Sequence, residues 1–224
     1  MAKKAFITGI TGQDGSYLTE HLLDLGYNVY GLVRRNSVTE HQQSRLENLK
    51  KNVDLTYGDM LDQSSIDKIL NRVQPDEIYN LAAQSHVRIS YDIPQFTAQT
   101  NALGVLNLLE SVKMHCPSAR IYQASSSEMF GNSRDSDGMQ RETTPMHPVS
   151  PYGCAKLFSY SVIRNYRKAF KLFASNGILF NHESPRRGSN FVTTKIIKNA
   201  VLISKGKAKI LELGNLDSKR DWGH

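Results

Sequence analysis

Short apolar segments alternate with amphipathic segments through most of the chain, and this order restricts the fold more than any other feature. The apolar segments predicted as strands are Ala5–Thr8, Asn28–Val33, Val53–Tyr57, Glu77–Ala83, Ala119–Ser125, Ile178–Phe180 and Lys209–Leu213. Between them, apolar residues three and four apart predict helices. A repeated strand–helix–strand order predicts a mostly parallel, doubly wound α/β sheet with helices on both faces. Ligands bind such sheets beyond the carboxyl ends of the strands.

Three of the predicted helices are indicated by their apolar spacing or by residues typical of a helix start. A long helix before the fifth strand is predicted from its apolar spacing, through Leu103, Leu106, Leu109 and Val112. Another begins after Ser150, which suits an N-cap, and Pro151, which suits the first helical position. A third is predicted from Phe191 to Ser204. The second of these helices carries the candidate catalytic residues.

Charge and composition exclude several classes of protein. The chain has 28 Lys and Arg against 21 Asp and Glu, a net charge of +7. The basic residues are scattered, so they predict solvated helix faces and an anionic small ligand rather than nucleic acid. No segment is apolar enough to span a bilayer, and the N-terminus lacks a secretory signal. Because Cys116 and Cys154 lack metal-site spacing, we expect reduced thiols in a cytoplasmic protein without a metal.

A glycine-rich turn joins the first predicted strand to the first helix. Its glycines are Gly9, Gly12 and Gly15, spaced G-x-x-G-x-x-G, with Gln13 and Asp14 between the last two. Glycine permits a tight turn and lets a pyrophosphate approach the backbone, while the helix N-terminus presents N–H groups to that anion. An ordinary strand-to-helix turn is the alternative. Its position after the first strand of a βαβ unit favours a dinucleotide site.

The residues that follow the second strand indicate which dinucleotide is bound. An acid there would bind the ribose 2′-hydroxyl of NAD, but the chain has Arg34 and Arg35 instead. Arginine matches a phosphate by charge and by its planar shape, so we predict NADP; two solvated strand-end charges are the alternative. Further cofactor contacts are predicted after the third and fourth strands, at Asp59, Met60, Leu81, Ala82, Ala83 and Ser85.

Tyr152 and Lys156 are four residues apart and therefore share one face of a helix. An unperturbed tyrosine has a pKa near ~10, too high for a base at neutral pH, but a nearby ammonium favours the phenolate. Tyr152 could then remove a proton from a substrate hydroxyl while hydride leaves for the cofactor. Lys156 could also hold the nicotinamide ribose. Downstream of the glycine turn, this pair predicts hydride-transfer chemistry.

Ser126 and Glu128 follow the fifth strand, and in an extended chain they would point the same way. The hydroxyl can hydrogen-bond a reacting sugar oxygen. A carboxylate is useful when a second proton, on carbon, must also move. The alternative for Glu128 is a carboxylate at a helix start. The pair predicts a reaction beyond simple carbonyl reduction.

Taken together, these motifs resemble the extended short-chain dehydrogenase/reductase family, and most closely its GDP-mannose 4,6-dehydratases. The segments that carry the resemblance are Gly9–Gly15, Leu81–Val87, Ser125–Gly131, Ser150–Lys156, Gly177–Gly188 and Arg220–His224. The resemblance implies a Rossmann-type NADP-binding domain over residues 1–180 and the start of a C-terminal substrate-binding domain over residues 181–224. It also implies a homodimer or homotetramer, with the loop from Arg35 to Ser44 reaching a neighbouring subunit.

The resemblance further implies a redox-neutral loss of water from GDP-mannose, giving GDP-4-dehydro-6-deoxy-D-mannose. Ser126, Glu128 and Tyr152 would be catalytic with Lys156, and Lys156 would also contact the cofactor. His182 and Arg187 are implied as further cofactor contacts. The residues implied to meet the nucleotide sugar are Ser85, Asn181, Lys195 and Arg220, together with Ser126, Glu128 and Tyr152.

The chain departs from the family pattern at three places. Position 126 is Ser where the family usually has Thr, and Thr194 stands where many relatives have arginine. The chain ends at His224, whereas relatives continue for a length that fits an added substrate-binding domain. We therefore expect either a fragment or a natural shortened form. Two other functions stay open: a nucleotide-sugar epimerase or 4-reductase of the same fold, and a non-catalytic nucleotide-binding protein.

Overall fold

The computed structural model describes residues 1–35, 44–47 and 49–224. They form two compact units, Met1–Leu179 and Phe180–His224. The strands of the first unit are β1 (Lys4–Thr8), β2 (Asn28–Val33), β3 (Val53–Tyr57), β4 (Glu77–Asn80), β5 (Arg120–Ser126) and β6 (Ala174–Leu179). The segment from Arg35 to Ser44, predicted to reach a neighbouring subunit, lies largely outside the described residues.

The six strands form one parallel sheet in the order β3-β2-β1-β4-β5-β6. This confirms the predicted doubly wound Rossmann-type fold, because the strand order reverses direction beside β1. The α-helices of the unit are α1 (Gln13–Asp24), α2 (Gln63–Val73), α3 (Ile89–Asp92), α4 (Pro94–Ala98), α5 (Gly104–His115) and α6 (Pro151–Ala169). Short 3-10 helices cover Ser44–Leu46, Lys50–Asn52 and Ser127–Met129.

Alternate side chains of the central strands β1, β2 and β4 enter two separate hydrophobic cores. Phe6 of β1 packs with apolar residues of α2, α5 and α6 on one face of the sheet. Ala5 and Ile7, its neighbours along β1, pack with Leu22 of α1 on the other face. Because successive strand residues point to opposite faces, a strand buried on both faces is normally apolar along most of its length. The carboxyl ends of the strands are therefore held by packing on both sides.

The helix predicted through Leu103, Leu106, Leu109 and Val112 is confirmed from Gly104 onward as α5, but it is interrupted before Gly104 and the prediction is wrong at Leu103. The segment divides into α3, α4, a π-helical turn at Gln99–Leu103 and α5. A π turn closes hydrogen bonds five residues apart, so it shifts the side chains after it around the helix axis. Leu103 is consequently 49% exposed. The residues that α5 buries include Val105, Leu108, Leu109 and Val112.

The second unit contains one helix, α7 (Val192–Ser204), and a two-stranded pair among the described residues. The pair joins β7 (Asn181–His182) to β8 (Trp222–Gly223) in parallel. The strand predicted over Lys209–Leu213 is wrong, since those residues have no regular structure. Apolar residues such as Ile210 favour a strand, but Ile210 is 73% exposed and no strand among the described residues pairs with this segment. Among the described residues, no helix combines the length and apolar character needed to cross a membrane.

Candidate active site

The glycine turn leaves β1 with its backbone against the segment that follows β4. Gly9 has φ +69°, and a Cβ built there would lie 2.7 Å from the amide nitrogen of Ala82. A Cβ at Gly15 would lie 2.4 Å from the Gly9 carbonyl oxygen. Gly12 ends the turn, donating its N–H to Gly9 O over 2.9 Å, and is the N-cap of α1. Only glycine fits this backbone-on-backbone packing, which leaves the N-terminus of α1 ready to face an anion.

Gly9→Ala is expected to unfold the chain more readily than Gly26→Ala. Both residues have positive φ, +69° and +78°, so alanine in the left-handed region costs each about 1 kcal/mol. No described atom lies within 4 Å of a Cβ at Gly26, whereas Gly9 would meet backbone, adding about 2 kcal/mol. Urea unfolding of both variants measures the difference. Equal destabilisation would contradict the close packing at Gly9.

The ends of β2 and β3 carry the residues predicted to select the cofactor. Arg34 and Arg35 are exposed, and the Arg34 guanidinium carbon lies 5.7 Å from the centre of the Phe96 ring on α4. The Asp59 carboxylate accepts the Leu61 N–H over 3.0 Å. Met60 is 4% exposed and belongs to the core, so its side chain has a packing role.

The sequence did not single out Arg45, which the structure brings to the glycine turn. Its Nη1 donates to the Thr11 carbonyl oxygen over 3.1 Å. The neighbouring Leu46 is fully buried and anchors this short segment in the core beside α1. A cation is thereby placed at the same end of the sheet as Arg34 and Arg35. Arg45 lies twelve positions after the end of β2, and no local sequence pattern indicates its contact with Thr11.

The segment after β4 is held by a side chain from the π turn. Leu81 and Ala82 lie against Gly9, while Ser85 is exposed. Asn101 is 1% exposed, accepts the Gln84 N–H and donates to the Gln84 carbonyl oxygen, both over 2.9 Å. The strand β4 ends at Asn80, three residues earlier than predicted, and the backbone at Gln84 is held by Asn101 rather than by a neighbouring strand. The predicted contact segment Leu81–Ala83 therefore lies on an irregular stretch beyond the strand.

Ser126 ends β5, and Glu128 lies in the 3-10 helix that follows. The two side chains do not lie on one extended strand, so the prediction that they point the same way is wrong. The structure joins them differently: the Ser126 hydroxyl oxygen accepts the Glu128 N–H over 3.2 Å. Glu128 is half-buried in the first turn of this helix. The cap fixes the backbone that carries the carboxylate.

The start of α6 sits directly against that turn. Ser150 caps the helix by accepting the Gly153 N–H over 3.0 Å, and Pro151 begins it, which confirms the predicted helix start. A Cβ at Gly153 would lie 2.7 Å from the Glu128 carbonyl oxygen. Tyr152, 8% exposed, adjoins this contact. Because Gly153 has no side chain, the backbone that carries Tyr152 can lie directly against the backbone that carries Glu128.

Lys156 is enclosed between α6 and β5. It is 3% exposed, and its Nζ donates to the Ala124 carbonyl oxygen over 2.8 Å. The same nitrogen lies 5.8 Å from the centre of the Tyr152 ring. Burial lowers the pKa of Lys156 to about 8, because the charged form loses its hydration. The pair therefore offers a phenol and a buried amine on one helix face, as the spacing predicted.

The other predicted ligand residues belong to the second unit. Asn181 and His182 form β7, while Lys195 on α7 and Arg220 before β8 are exposed. The Arg187 guanidinium lies 3.4 Å from the Glu183 carboxylate and 3.7 Å from the centre of the Phe191 ring. Thr194 donates to the Arg187 carbonyl oxygen over 3.3 Å. Each of these contacts lies within the second unit.

The fold, the glycine turn and the Tyr–Lys pair define an extended short-chain dehydrogenase/reductase. Solved structures agree: a dTDP-glucose 4,6-dehydratase from Streptomyces venezuelae with NAD bound has a TM-score of 0.78 and 25% identity, over 88% of this chain and 62% of that one. A UDP-glucose 4-epimerase from Thermus thermophilus with NAD has a TM-score of 0.79 and 25% identity, over 91% and 63%.

Within that class, the chain belongs to the GDP-mannose 4,6-dehydratase family. The family's model, described as GDP-mannose 4,6 dehydratase, matches residues 6–224. Enzymes of that name are 52% identical in Cricetulus griseus, over 99% of this chain, and 52% identical in Homo sapiens, over 98%. One from Vibrio cholerae is 49% identical over 99%. The chain spans 61% of the length of each of these three relatives.

Proposed function

We propose that this protein is a GDP-mannose 4,6-dehydratase that uses NADP. One observation carries the proposal: the turn bearing Glu128 packs on α6 beside Tyr152, with the buried Lys156 amine against the same tyrosine. Family membership supports the substrate, because the relatives named above are GDP-mannose 4,6-dehydratases. We further propose that residues 1–180 bind the cofactor and residues 181–224 contribute to the sugar-nucleotide site.

The proposed mechanism assigns separate proton transfers to separate residues. Bound NADP supplies the site that accepts and returns a hydride. Tyr152 removes the proton of the C4 hydroxyl, with Lys156 favouring its phenolate and Ser126 hydrogen-bonded to the reacting oxygen. The resulting C4 carbonyl acidifies C5–H, and Glu128 takes that proton. Glu128 then protonates the departing C6 hydroxyl, so one water leaves and the carboxylate is restored. As C6 receives the hydride, Tyr152 would give its proton to C5, which restores the phenolate and completes the product.

Mass spectrometry of GDP-mannose incubated with the protein and NADP tests the proposal. A product lighter by one water is the expected result. An isomer of unchanged mass would indicate the epimerase reaction, and an unmodified sugar under saturating conditions would indicate a non-catalytic nucleotide-binding protein. Either outcome would overturn the dehydratase proposal.

The choice of NADP over NAD rests on Arg34 and Arg35 after β2. The glycine turn suits a dinucleotide, because Gly9 packs directly on the Ala82 backbone and Gly12 is the N-cap of α1, whose free N–H groups suit a pyrophosphate. By calorimetry, NADP is expected to bind at least about tenfold more tightly than NAD, from one charge-assisted contact to the 2′-phosphate. Arg35→Ala should remove this preference, while Arg167→Ala, an exposed arginine of α6, should keep it. Tighter binding of NAD by the unmodified chain would contradict the assignment.

A further inference from the structure

A row of polar side chains crosses the buried middle of the sheet. Thr8 on β1 is the register partner of Asn80 on β4, which is the partner of Gln123 on β5. Thr8 and Asn80 are fully buried and Gln123 is 1% exposed. Strands buried on both faces are normally apolar, and a buried polar group is costly unless it is hydrogen-bonded. Three such residues side by side therefore require hydrogen-bond partners within the sheet.

Their hydrogen bonds all run in one direction. The Ala82 N–H donates to the Thr8 hydroxyl oxygen over 3.2 Å, and the Thr8 hydroxyl donates to Asn80 Oδ1 over 2.5 Å. Asn80 Nδ2 donates to Gln123 Oε1 over 2.6 Å. Gln123 Nε2 donates to the Ala124 carbonyl oxygen over 3.0 Å. The result is a continuous chain of donors across three strands.

Both ends of this chain lie in the candidate active site. Ala82, at the start, is the residue whose nitrogen lies against Gly9 in the glycine turn. The Ala124 carbonyl oxygen, at the finish, also accepts from Lys156 Nζ over 2.8 Å. That oxygen therefore accepts hydrogen bonds from two side-chain donors, one neutral and one cationic. This chain of hydrogen bonds connects the glycine turn to the buried Lys156.

We propose that Thr8, Asn80 and Gln123 are positioning residues that fix the Ala124 carbonyl oxygen and, through it, the ammonium of Lys156. The inference deepens the proposed function, because that function gives Lys156 its role beside Tyr152. Aligned hydrogen bonds polarise one another, so the chain presents the positive end of its last N–H beside the ammonium. Gln123 and Lys156 therefore share one acceptor, and a change at Gln123 must alter how strongly the protonated lysine is held.

The titration of Lys156 reports this sharing directly. Without the Gln123 N–H, the Lys156 ammonium is the one of these two donors that still bonds the Ala124 oxygen. A hydrogen bond to the charged form of a lysine favours that charged form. The titratable neighbour of the amine is Tyr152 on the same helix. Burial is the cause that lowers the pKa of Lys156, and no charged side chain among the described residues contributes to it. The effect of the hydrogen-bonded chain is therefore not masked by an ion pair.

The first test is Gln123→Met, which keeps the side-chain length and removes both hydrogen bonds. The Lys156 midpoint can be followed by NMR of the ¹³Cε nuclei of labelled lysines, with the signal assigned through its absence in Lys156→Met. The expected result is a midpoint raised by about half a pH unit. A folded Gln123→Met protein that titrates like the unmodified chain would overturn the proposal, since a purely structural residue would leave the midpoint unmoved.

The second test acts at the far end of the chain and is independent of how Gln123→Met folds. Thr8→Val preserves shape but removes the hydroxyl, whereas Thr8→Ser retains it. Thr8→Val should raise the Lys156 midpoint and Thr8→Ser should restore it; equal midpoints in both variants would overturn the proposal. The measurement uses neither substrate nor cofactor. Failure of the dehydratase reaction and failure of this positioning role are therefore separate results.

Discussion

Glu128→Gln is expected to abolish the loss of water from GDP-mannose while the affinity for NADP stays unchanged. Glutamine has nearly the same size as glutamate. The substitution also keeps the hydrogen bond from the backbone N–H of residue 128 to the Ser126 hydroxyl oxygen. It cannot take a proton from carbon, so turnover should fall by about 10²- to 10⁴-fold, the range for a lost general acid–base group. Product formation followed by mass spectrometry, and NADP titration by calorimetry, measure the two quantities.

Deuterium exchange separates this role from a general loss of activity. In D₂O the unmodified protein should place deuterium at C5 of the product sugar, because the proposed proton removal occurs there. Glu128→Gln should lose this exchange, and Glu142→Gln, an exposed carboxylate of the loop before α6, should keep it. Turnover by Glu128→Gln at the unmodified rate would show that another group moves the C5 proton.

Lys156→Met is expected to make the chain inactive and, at pH 7, more stable. Burial of the ammonium lowers the pKa of Lys156 from 10.5 to about 8, which corresponds to a folding penalty of up to about 3 kcal/mol. Methionine has a similar length and no charge. The Ala124 carbonyl oxygen keeps its bond from Gln123 over 3.0 Å, so the substitution leaves no orphaned acceptor. A stability gain of about 1–3 kcal/mol in urea unfolding is the expected value.

The stability gain of Lys156→Met should become smaller as the pH rises above about 8. Below pH 8 the lysine is protonated in both the folded and the unfolded chain, and the full penalty applies. Between about 8 and 10.5 the unfolded chain binds more protons, so the stability of the unmodified protein rises with pH and the advantage of Lys156→Met shrinks. Lys168→Met, at an exposed position of α6, should show no such dependence. A gap between Lys156→Met and the unmodified chain that widens above pH 8 would contradict the buried ammonium.

Local sequence signals predicted the elements whose cause is local. The strands Asn28–Val33 and Val53–Tyr57 have the predicted bounds, because each is a continuous stretch flanked by turn residues. The start of α6 was also predictable, since Ser150 and Pro151 act within one turn of chain. The break before α5 was not, because the π turn accompanies a contact of Asn101 with Gln84, 17 residues away along the chain. The segment Lys209–Leu213 has the composition of a strand, but no strand among the residues that the structure describes pairs with it.

The sequence by itself determined the alternation of strands and helices that implies a parallel sheet, the glycine turn, and the helix carrying Tyr152 and Lys156, because each of these signals lies within one strand, one turn or one helix. Only the tertiary structure decided that Glu128 packs on Gly153, and that Thr8, Asn80 and Gln123 lead to the carbonyl that holds Lys156. Thr8 and Asn80 are separated by 72 residues and Asn80 and Gln123 by 43. Such contacts are set by the register of neighbouring strands, which local sequence patterns do not encode.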